Sequence, residues 1–178
     1  MENVDDPHNI SACMRSCDAV GIQDLYIIWE NKPQEFISSQ RSSSSASKWL
    51  TINVFDNTET AFKAIKKKYN KIYTTHLATD SKGLHEMNFT ENCALVFGNE
   101  KDGVSKKAVD LADGNFIIPQ VGMIQSLNIS VACAVTLYEV YRQRVEAGFY
   151  DSVQLKENEY NNILTKWIEN RKFRKLKD

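Results

Sequence analysis

The sequence predicts an α/β fold, with a mostly parallel sheet and helices on both of its faces. Short apolar runs alternate with amphipathic stretches along the chain, which is the pattern of repeated strand and helix units. The composition, with 42% hydrophobic and 25% charged residues, is typical of a protein that buries a core. We expect one domain over residues 1–150, followed by an amphipathic helix and a basic tail over residues 151–178.

The first part of the chain predicts a helix, a strand and a long loop. A helix over Ile10–Val20 has Asn9 as a candidate N-cap and Gly21 as its stop. Leu25–Trp29 is a continuous apolar run, as in a strand that is buried on both faces. The serine-rich stretch Asn31–Ser47 lacks periodicity and predicts a loop without a packed element.

The middle of the chain continues the alternation. Trp49–Phe55 predicts a strand, and Asn57 or Thr58 begins a helix that runs to about Tyr69. Ligands of parallel sheets bind at the carboxyl ends of strands, so we expect a site in the loops at residues 75–76, 98–100 and 119–122. The remaining predicted elements are strands over Lys71–Thr75, Ala94–Phe97 and Asn115–Ile118 and a short helix over Ser105–Leu111.

Two helices are predicted at the end of the chain. The first runs from Leu127 to Ala147 and is stopped by Gly148. Its apolar residues align on one stripe that consists of Leu127, Val131, Ala134, Val135, Tyr138 and Tyr141. The second helix is indicated by the apolar positions Tyr160, Ile163, Leu164, Trp167 and Ile168, and a basic segment follows at residues 171–175.

Charge, cysteine content and hydropathy exclude several classes of protein. A formal net charge of -1 argues against a generally polycationic binder, so any RNA surface is a local patch. The four cysteines and three histidines lack the spacings of zinc or redox sites, which predicts reduced thiols and no metal. The sequence shows neither an apolar run of membrane-spanning length nor a signal sequence, so we expect a cytoplasmic protein without a membrane partner.

Three sequence blocks carry a resemblance to a known family. They are ENVDDPHNISA at residues 2–12 with Arg15, ALVFGNEKDG at residues 94–103, and IPQVGM at residues 118–123 leading into SLNISVA at residues 126–132. In this order and spacing they resemble the SpoU or TrmH branch of the SPOUT methyltransferases, from the first residues to about Tyr150. Segments 41–49 and 141–150 look more like the tRNA enzymes of that branch than like its ribosomal RNA enzymes.

The resemblance implies a fold and a reaction. Members of this branch thread the C-terminal part of the sheet into a deep trefoil knot, whose loops hold S-adenosylmethionine in a bent conformation. They methylate a ribose 2'-hydroxyl in RNA, work as homodimers, and in the tRNA enzymes act on guanosine 18 of the D-loop. The tRNA enzymes usually carry a basic helical segment before the first strand, whereas this sequence begins almost inside that strand.

The resemblance also implies catalytic residues. Arg15 matches an arginine that is assigned to activating the hydroxyl. A guanidinium is a poor base at neutral pH, so we expect Arg15 to stabilise the developing alkoxide and to bind a phosphate. Asn9 would orient the arginine, and Glu100 would fix the knot loop or the arginine. Apart from the resemblance, a solvent-facing position is the default for Arg15, Glu100 is typical of a surface carboxylate, and Asn9 is equally well explained as a simple N-cap.

Residues of the last blocks are implied in binding cofactor and substrate. Ser126 and Asn128 lie at the start of the long helix, where such side chains cap backbone donors, and by resemblance they also line the pocket. The expected cofactor contacts are Thr75, Gly98, Ile118, Gly122 and Leu127. RNA contacts are expected from Arg41, Lys48, Arg142, Arg144 and the basic tail, and for each one a solvated surface position is an equally good explanation.

Three other functions stay open at the level of sequence. A ribosomal RNA 2'-O-methyltransferase would share the chemistry and differ in its target. A non-catalytic knotted RNA-binding module is disfavoured because Asn9, Arg15, Glu100 and Asn128 are all present. A generic nucleotide-binding α/β protein is disfavoured because the chain has neither a GxGxxG loop nor a Walker lysine loop.

Overall fold

The computed structural model describes residues 1–30, 45–77 and 81–175, and side chains up to residue 169 except that of Ser45. The helices are α1 (Pro7–Ala19), α2 (Thr58–Lys66), α3 (Lys106–Leu111), α4 (Ile129–Glu146) and α5 (Glu157–Lys175). The strands are β1 (Asp24–Ile28), β2 (Thr51–Phe55), β3 (Lys71–Thr75), β4 (Lys82–Gly83), β5 (Cys93–Val96) and β6 (Gly114–Ile117).

The N-terminal segment Met1–Val4 joins two groups of parallel strands. β1 pairs with β2, and the other strands have the order β4-β6-β3-β5. The backbone nitrogen of Glu2 donates to Phe97 at 2.8 Å, and that of Asn3 donates to Ile28 at 2.7 Å. Met1–Val4 therefore lies between β1 and β5 and makes them parts of one sheet. The predicted α/β fold with a mostly parallel sheet is confirmed.

Helices cover both faces of this sheet, as predicted. The core on one face contains α1 and α4, and the core on the other contains α2 and α3. Side chains of a strand point alternately to the two faces, so the neighbours Ile27 and Ile28 of β1 belong to different cores. This explains why the sequence of β1 is apolar at nearly every position.

A buried carboxylate ties two helices to the N-terminal segment. The Glu2 side chain is 1% exposed, and its Oε1 accepts hydrogen bonds from the hydroxyls of Thr58 at 3.0 Å and Ser105 at 2.7 Å. Its Oε2 accepts from the backbone nitrogen of Ser105 at 2.8 Å. Thr58 begins α2 and Ser105 caps α3, so the negative charge lies at the positive ends of two helix dipoles.

The start of α1 differs from the prediction. Asp6 is the N-cap, and its side chain accepts a hydrogen bond from the backbone nitrogen of His8 at 2.8 Å. Pro7 takes the first helical position, where its fixed φ suits the helix and its missing N–H costs nothing. The prediction of Asn9 as the N-cap was therefore wrong, and the Asn9 side chain is available for other contacts.

The apolar stripe predicted along α4 does not face the sheet. Val131, Val135 and Tyr138 are 47%, 42% and 56% exposed. The face that packs against the core carries Ile129, Cys133, Thr136, Leu137 and Val140. α4 is apolar on both sides, so hydrophobic periodicity alone could not select the inward face.

The sequence pattern did not predict two short elements. Residues Ser45–Lys48 form a turn of 3₁₀ helix within the predicted loop, and Ala46 is buried in the core beside α1. Residues 31–44, including Arg41, lie outside the described residues. The strand β4 has only two residues, too few for a periodic signal.

The last helix, α5, packs against its own chain at the amino ends of β1 and β2. The indole nitrogen of Trp167 donates to the Trp49 carbonyl at 3.0 Å, and the two rings meet edge to face at 5.7 Å. Lys68 forms ion pairs with Asp24 at 2.7 Å and with Glu159 on α5. Among the described helices, none is long and apolar enough to cross a membrane.

Candidate active site

The site forms where parallel strands reach their carboxyl ends. β3 ends at Thr75 and pairs with both β5 and β6, so the loops after these three strands leave the same edge. The Thr75 hydroxyl donates to the Val96 carbonyl of β5 at 3.3 Å. The structure thus brings Thr75, Gly98 and Ile118 to one edge, as the sequence predicted, although their contacts with a cofactor stay a prediction.

A chain of hydrogen bonds joins three of the predicted catalytic residues. The side-chain nitrogen of Asn128 donates to Asn9 Oδ1 at 3.1 Å, and the side-chain nitrogen of Asn9 donates to Glu100 Oε1. Asn128 is the N-cap of α4, and its Oδ1 accepts from the Ser130 nitrogen at 2.9 Å. Because the cap uses the oxygen, the amide nitrogen must point to Asn9, and this sets the orientation of the Asn9 amide in turn.

This Asn128–Asn9–Glu100 chain links distant parts of the sequence. Asn9 lies in the first turn of α1, Glu100 follows β5, and Asn128 begins α4. Within the described part of the chain, Glu100 Oε2 has no hydrogen-bond partner, so the carboxylate can accept a further hydrogen bond from a ligand. The predicted role of Asn128 as a helix cap is confirmed.

Arg15 lies on α1, six residues beyond Asn9, and its side chain is exposed. It makes no hydrogen bond or ion pair with any other described residue. All donors of its guanidinium are thus available to an anionic ligand. The structure does not connect Arg15 to the Asn128–Asn9–Glu100 chain, so its predicted catalytic role stays a prediction.

The segment between β6 and α4 contains the predicted residues Gly122, Ser126 and Leu127. From residue 119 to 127 it makes no backbone hydrogen bond with the described residues. Val121 and Met123 are almost fully exposed. Its main-chain donors and acceptors, beside the carboxyl edge of the sheet, are therefore free to bind a small polar ligand. Ser126 is exposed and is not part of the hydrogen-bonded chain.

The two glycines predicted to approach a cofactor differ in their surroundings. A Cβ on Gly98 would lie 2.0 Å from the carbonyl carbon of Gly103, because the loop that presents Glu100 folds back onto it. Gly98 is therefore required by the protein's own backbone. A Cβ on Gly122 would meet no atom within 4 Å, so the chain itself sets no steric demand there.

The predicted RNA contacts that the structure describes, Lys48, Arg142 and Arg144, lie on different parts of the molecule. Lys48 lines a small cavity of about 70 Å³ with Gln23 and Thr51, at the amino edge of the sheet and thus opposite the Asn128–Asn9–Glu100 chain. Arg144 donates to the carbonyls of Phe89 at 3.0 Å and Glu91 at 3.2 Å. These positions do not form one patch near Asn9, and their contact with RNA stays a prediction.

Arg142 is paired with two carboxylates on its own helix. It donates to Glu139 at 2.8 Å and 3.0 Å and to Glu146 at 2.7 Å and 2.8 Å. Hydrogen bonding from Arg142 lowers the pKa of the Glu139 carboxyl to about 2. The charge of Arg142 is therefore largely compensated within α4, so this side chain adds little to a phosphate-binding surface.

No metal site is evident in the part of the chain that the structure describes, where no three His, Cys, Asp or Glu side chains are arranged to hold an ion. All four cysteines are free, and Cys13, Cys17 and Cys133 are buried, which agrees with the expected reduced thiols in the core.

Comparison with known proteins identifies the family. The SpoU rRNA Methylase family matches residues 1–138. The chain belongs to the SpoU methylase family. The resemblance seen in the three sequence blocks is thus confirmed.

Relatives of this SpoU methylase include tRNA enzymes. It is 40% identical to the tRNA (guanosine(18)-2'-O)-methyltransferase of Thermus thermophilus over 168 residues, which cover 94% of this chain and 86% of that protein. The crystal structure of the Aquifex aeolicus TrmH/SpoU tRNA modifying enzyme superposes with a TM-score of 0.81 and 38% identity, over 96% of this chain and 86% of that one.

A second solved structure bears on the cofactor. The SpoU methyltransferase AviRb of Streptomyces viridochromogenes, in complex with AdoMet, has a TM-score of 0.70 and 26% identity to this SpoU methylase. The match covers 81% of this chain and 56% of AviRb. AviRb therefore binds S-adenosylmethionine on a fold that most of this chain shares.

The contrast between Gly98 and Gly122 can be measured. We expect Gly98→Ala to lower the free energy of unfolding by about 3 kcal/mol, because the Gly103 backbone must move away from the new methyl group. Gly122→Ala, the matched control, should stay within about 0.5 kcal/mol of the unaltered chain. Urea unfolding followed by circular dichroism measures both. Equal stability of the two variants would contradict the assigned role of Gly98.

Proposed function

We propose that this SpoU family member transfers a methyl group from S-adenosylmethionine to the ribose 2'-hydroxyl of guanosine 18 in the D-loop of tRNA. The observation that carries the proposal is the Asn128–Asn9–Glu100 chain at the carboxyl edge of the sheet, with Arg15 on the same helix as Asn9. The likeness to tRNA enzymes over most of both chains supports tRNA as the substrate.

The segment from residue 119 to 127 fits the cofactor. Its unbonded main-chain groups can read an adenine edge, and its exposed apolar side chains can close over a ring. Thr75, Ile118, Gly122 and Leu127 would hold the ligand there, while Gly98 keeps the neighbouring loop compact. When bound, S-adenosylmethionine supplies a methyl group on a positively charged sulfur, which departs as the thioether of S-adenosylhomocysteine.

Arg15 supplies the positive charge of the reaction in this proposal. The 2'-hydroxyl loses its proton to a neighbouring phosphate oxygen or to water, and its oxygen forms the new bond to the methyl carbon as the carbon–sulfur bond breaks. The Arg15 guanidinium stabilises the negative charge that develops on that oxygen and binds the adjacent phosphate. Asn9, Glu100 and Asn128, together with Ser126, position the ribose for attack.

We infer that the end of the sheet is knotted. β6 lies between β3 and β4, and its Phe116 is paired with both Thr75 and Lys82. β3 and β4 follow each other in the sequence but lie on opposite sides of β6, which is the strand order that a knot in this part of the sheet would produce. The backbone nitrogen of His76, directly after β3, donates to Phe116 at 3.3 Å. Such a knot would hold the cofactor segment 119–127 against the sheet.

Contacts with the RNA outside the site are part of the proposal. Lys48, at the amino edge of the sheet, would bind a phosphate, and Arg41 and the basic residues 171–175 would add further phosphate contacts. Arg142 and Arg144 would add less, because their donors already bond to the protein. A tRNA substrate implies that the protein acts in the cytoplasm.

The substrate can be tested with labelled cofactor. We expect incorporation of labelled methyl groups into a tRNA transcript with guanosine at position 18, and none when that nucleotide is 2'-deoxyguanosine, because the acceptor hydroxyl is then absent. A ribosomal RNA transcript should remain unlabelled. Labelling of the ribosomal RNA alone would support that target instead. Cofactor binding by calorimetry without any labelling would support a non-catalytic module.

The role of Arg15 can be separated from cofactor binding. We expect Arg15→Ala to lower kcat by about a hundredfold or more, because the charge on the attacking oxygen is no longer stabilised. Affinity for S-adenosylhomocysteine, measured by calorimetry, should stay within about twofold, since no part of the cofactor segment is altered. Lys63→Ala, which removes an exposed cation from α2, is the control. Loss of cofactor binding in Arg15→Ala would exclude this role.

We further propose that the protein is a homodimer in which the exposed stripe of α4 is buried. Val131, Val135 and Tyr138 lie at helical spacing on the face away from the core, and Tyr141 and Tyr150 continue the apolar surface with rings 5.0 Å apart. A second copy of the chain can cover this surface with its own identical stripe.

A charge in the stripe tests the dimer. We expect Val135→Asp to sediment as a monomer in analytical ultracentrifugation, because a carboxylate would be buried without a partner. Val153→Asp, at an exposed position outside the stripe, should sediment like the unaltered chain. If both variants remain dimers, another surface forms the interface.

A further inference from the structure

We propose that Asn99 is a positioning residue, whose side-chain amide clamps the loop carrying Glu100 to the N-terminal segment and so fixes Glu100 opposite Asn9. The inference rests on the proposed methyl transfer, because it concerns the geometry of the same site. It adds a residue that the sequence analysis did not single out, between the buried sheet and the exposed carboxylate.

Both ends of the Asn99 amide are engaged. Its nitrogen donates to the carbonyl of Asn3 at 2.8 Å, and its Oδ1 accepts from the backbone nitrogen of Lys101 at 2.8 Å. The second bond closes a turn of the kind that asparagine favours, with Glu100 at its centre. One side chain therefore shapes the turn at Glu100 and ties it to the N-terminal segment, 96 residues away in sequence.

The acceptor of this clamp is itself held rigidly. Asn3 has a φ of 53°, a left-handed conformation that few residues other than glycine adopt. Its side-chain oxygen accepts from the Glu30 nitrogen at 2.9 Å, and its backbone nitrogen donates to Ile28 at 2.7 Å. The Asn3 carbonyl thus occupies a fixed position at the end of β1.

The loop at residues 99–103 is held in shape by internal hydrogen bonds but makes few hydrogen bonds to the N-terminal segment and α1. Asn99 and Gly103 exchange two backbone hydrogen bonds, at 3.0 Å and 2.8 Å, which set the shape of the loop. Among described residues, the loop's hydrogen bonds to the N-terminal segment and α1 are the Asn99 amide and the Glu100 carboxylate. Without the amide, the contact between Glu100 and Asn9 would itself have to hold the loop in place.

The Asn99 clamp fixes the relative positions of Asn9 and Glu100. Asn9 follows Asn3 by six residues, and the Asp6 cap and Pro7 fix the intervening turn. Holding Asn99 against Asn3 therefore fixes Glu100 relative to the start of α1, and thus relative to Asn9. An error of about 1 Å in such a position is enough to slow a reaction that depends on alignment.

A matched pair of variants tests the clamp. Asn99→Ser keeps a side-chain acceptor for the turn but cannot reach the Asn3 carbonyl. Asn92→Ser removes the same kind of bond elsewhere, since the Asn92 amide donates to the Lys68 carbonyl at 3.0 Å. For methyl transfer to tRNA we expect Asn99→Ser to lower kcat by about tenfold or more, with the KM for S-adenosylmethionine within about twofold. Asn92→Ser should keep the kcat of the unaltered protein.

A spectroscopic measurement makes the test independent of activity. The side-chain amide of Asn9, identified in ¹H–¹⁵N spectra by its absence from Asn9→Asp, reports its hydrogen bond to Glu100. We expect its signal to shift in Asn99→Ser towards the position found in Glu100→Gln, and to stay in place in Asn92→Ser. If the unaltered protein methylates no RNA, the proposed function fails, and this signal still decides the clamp.

Stability is checked by comparing thermal midpoints. If Asn99→Ser unfolds earlier than Asn92→Ser, Asn99→Asp replaces it, because a carboxylate keeps the acceptor and the shape but cannot donate to the Asn3 carbonyl. An equal kcat for the Asn99 and Asn92 variants would overturn the proposal. An unchanged Asn9 signal in the Asn99 variant would overturn it as well.

Discussion

The rest of the structure depends on the insertion of the N-terminal segment between β1 and β5. Its backbone hydrogen bonds to Ile28 and Phe97 join two groups of strands that are otherwise separate. The buried Glu2 carboxylate holds the starts of α2 and α3 on one face, and α1 continues from the segment on the other. These few residues thus complete the sheet and lead directly into α1, so they fix the position of Asn9 relative to the strands.

The site is an arrangement of side-chain amides whose orientations follow from helix and turn chemistry. The Asn128 oxygen caps α4, which leaves its nitrogen for Asn9, and the Asn9 nitrogen is then left for Glu100. The amide of Asn99 acts on the opposite side of Glu100 by bonding to Asn3. Each amide has one donor end and one acceptor end, so one cap determines the direction of the whole chain.

The proposed anion-binding group and the proposed dimer surface lie on different helices. Arg15 is exposed without a described partner, whereas Arg142 is neutralised by Glu139 and Glu146 on its own helix. The exposed stripe of α4 is the surface that a second copy would cover in the proposed dimer. Anion binding is therefore assigned to Arg15 on α1, and the subunit contact is assigned to the stripe on α4.

The α/β class and the parallel strands could be predicted from the sequence, because apolar periodicity is a local signal, and the three ordered motif blocks named candidate residues for the site. Lys71–Thr75 was predicted with the observed bounds, and Asn9, Glu100 and Asn128 were named together. Three features are evident only in the folded structure: Asp6 caps α1, α4 turns its predicted stripe to solvent, and Gly98 leaves room for the Gly103 backbone. The inward face of α4 is set by contacts with α1, which is far away in sequence, and apolar periodicity carries no information about which of two apolar faces finds such a partner. The Asp6 cap and the contact of Gly98 with Gly103 are local, but they depend on the exact path of the backbone, which a pattern of residue types does not specify.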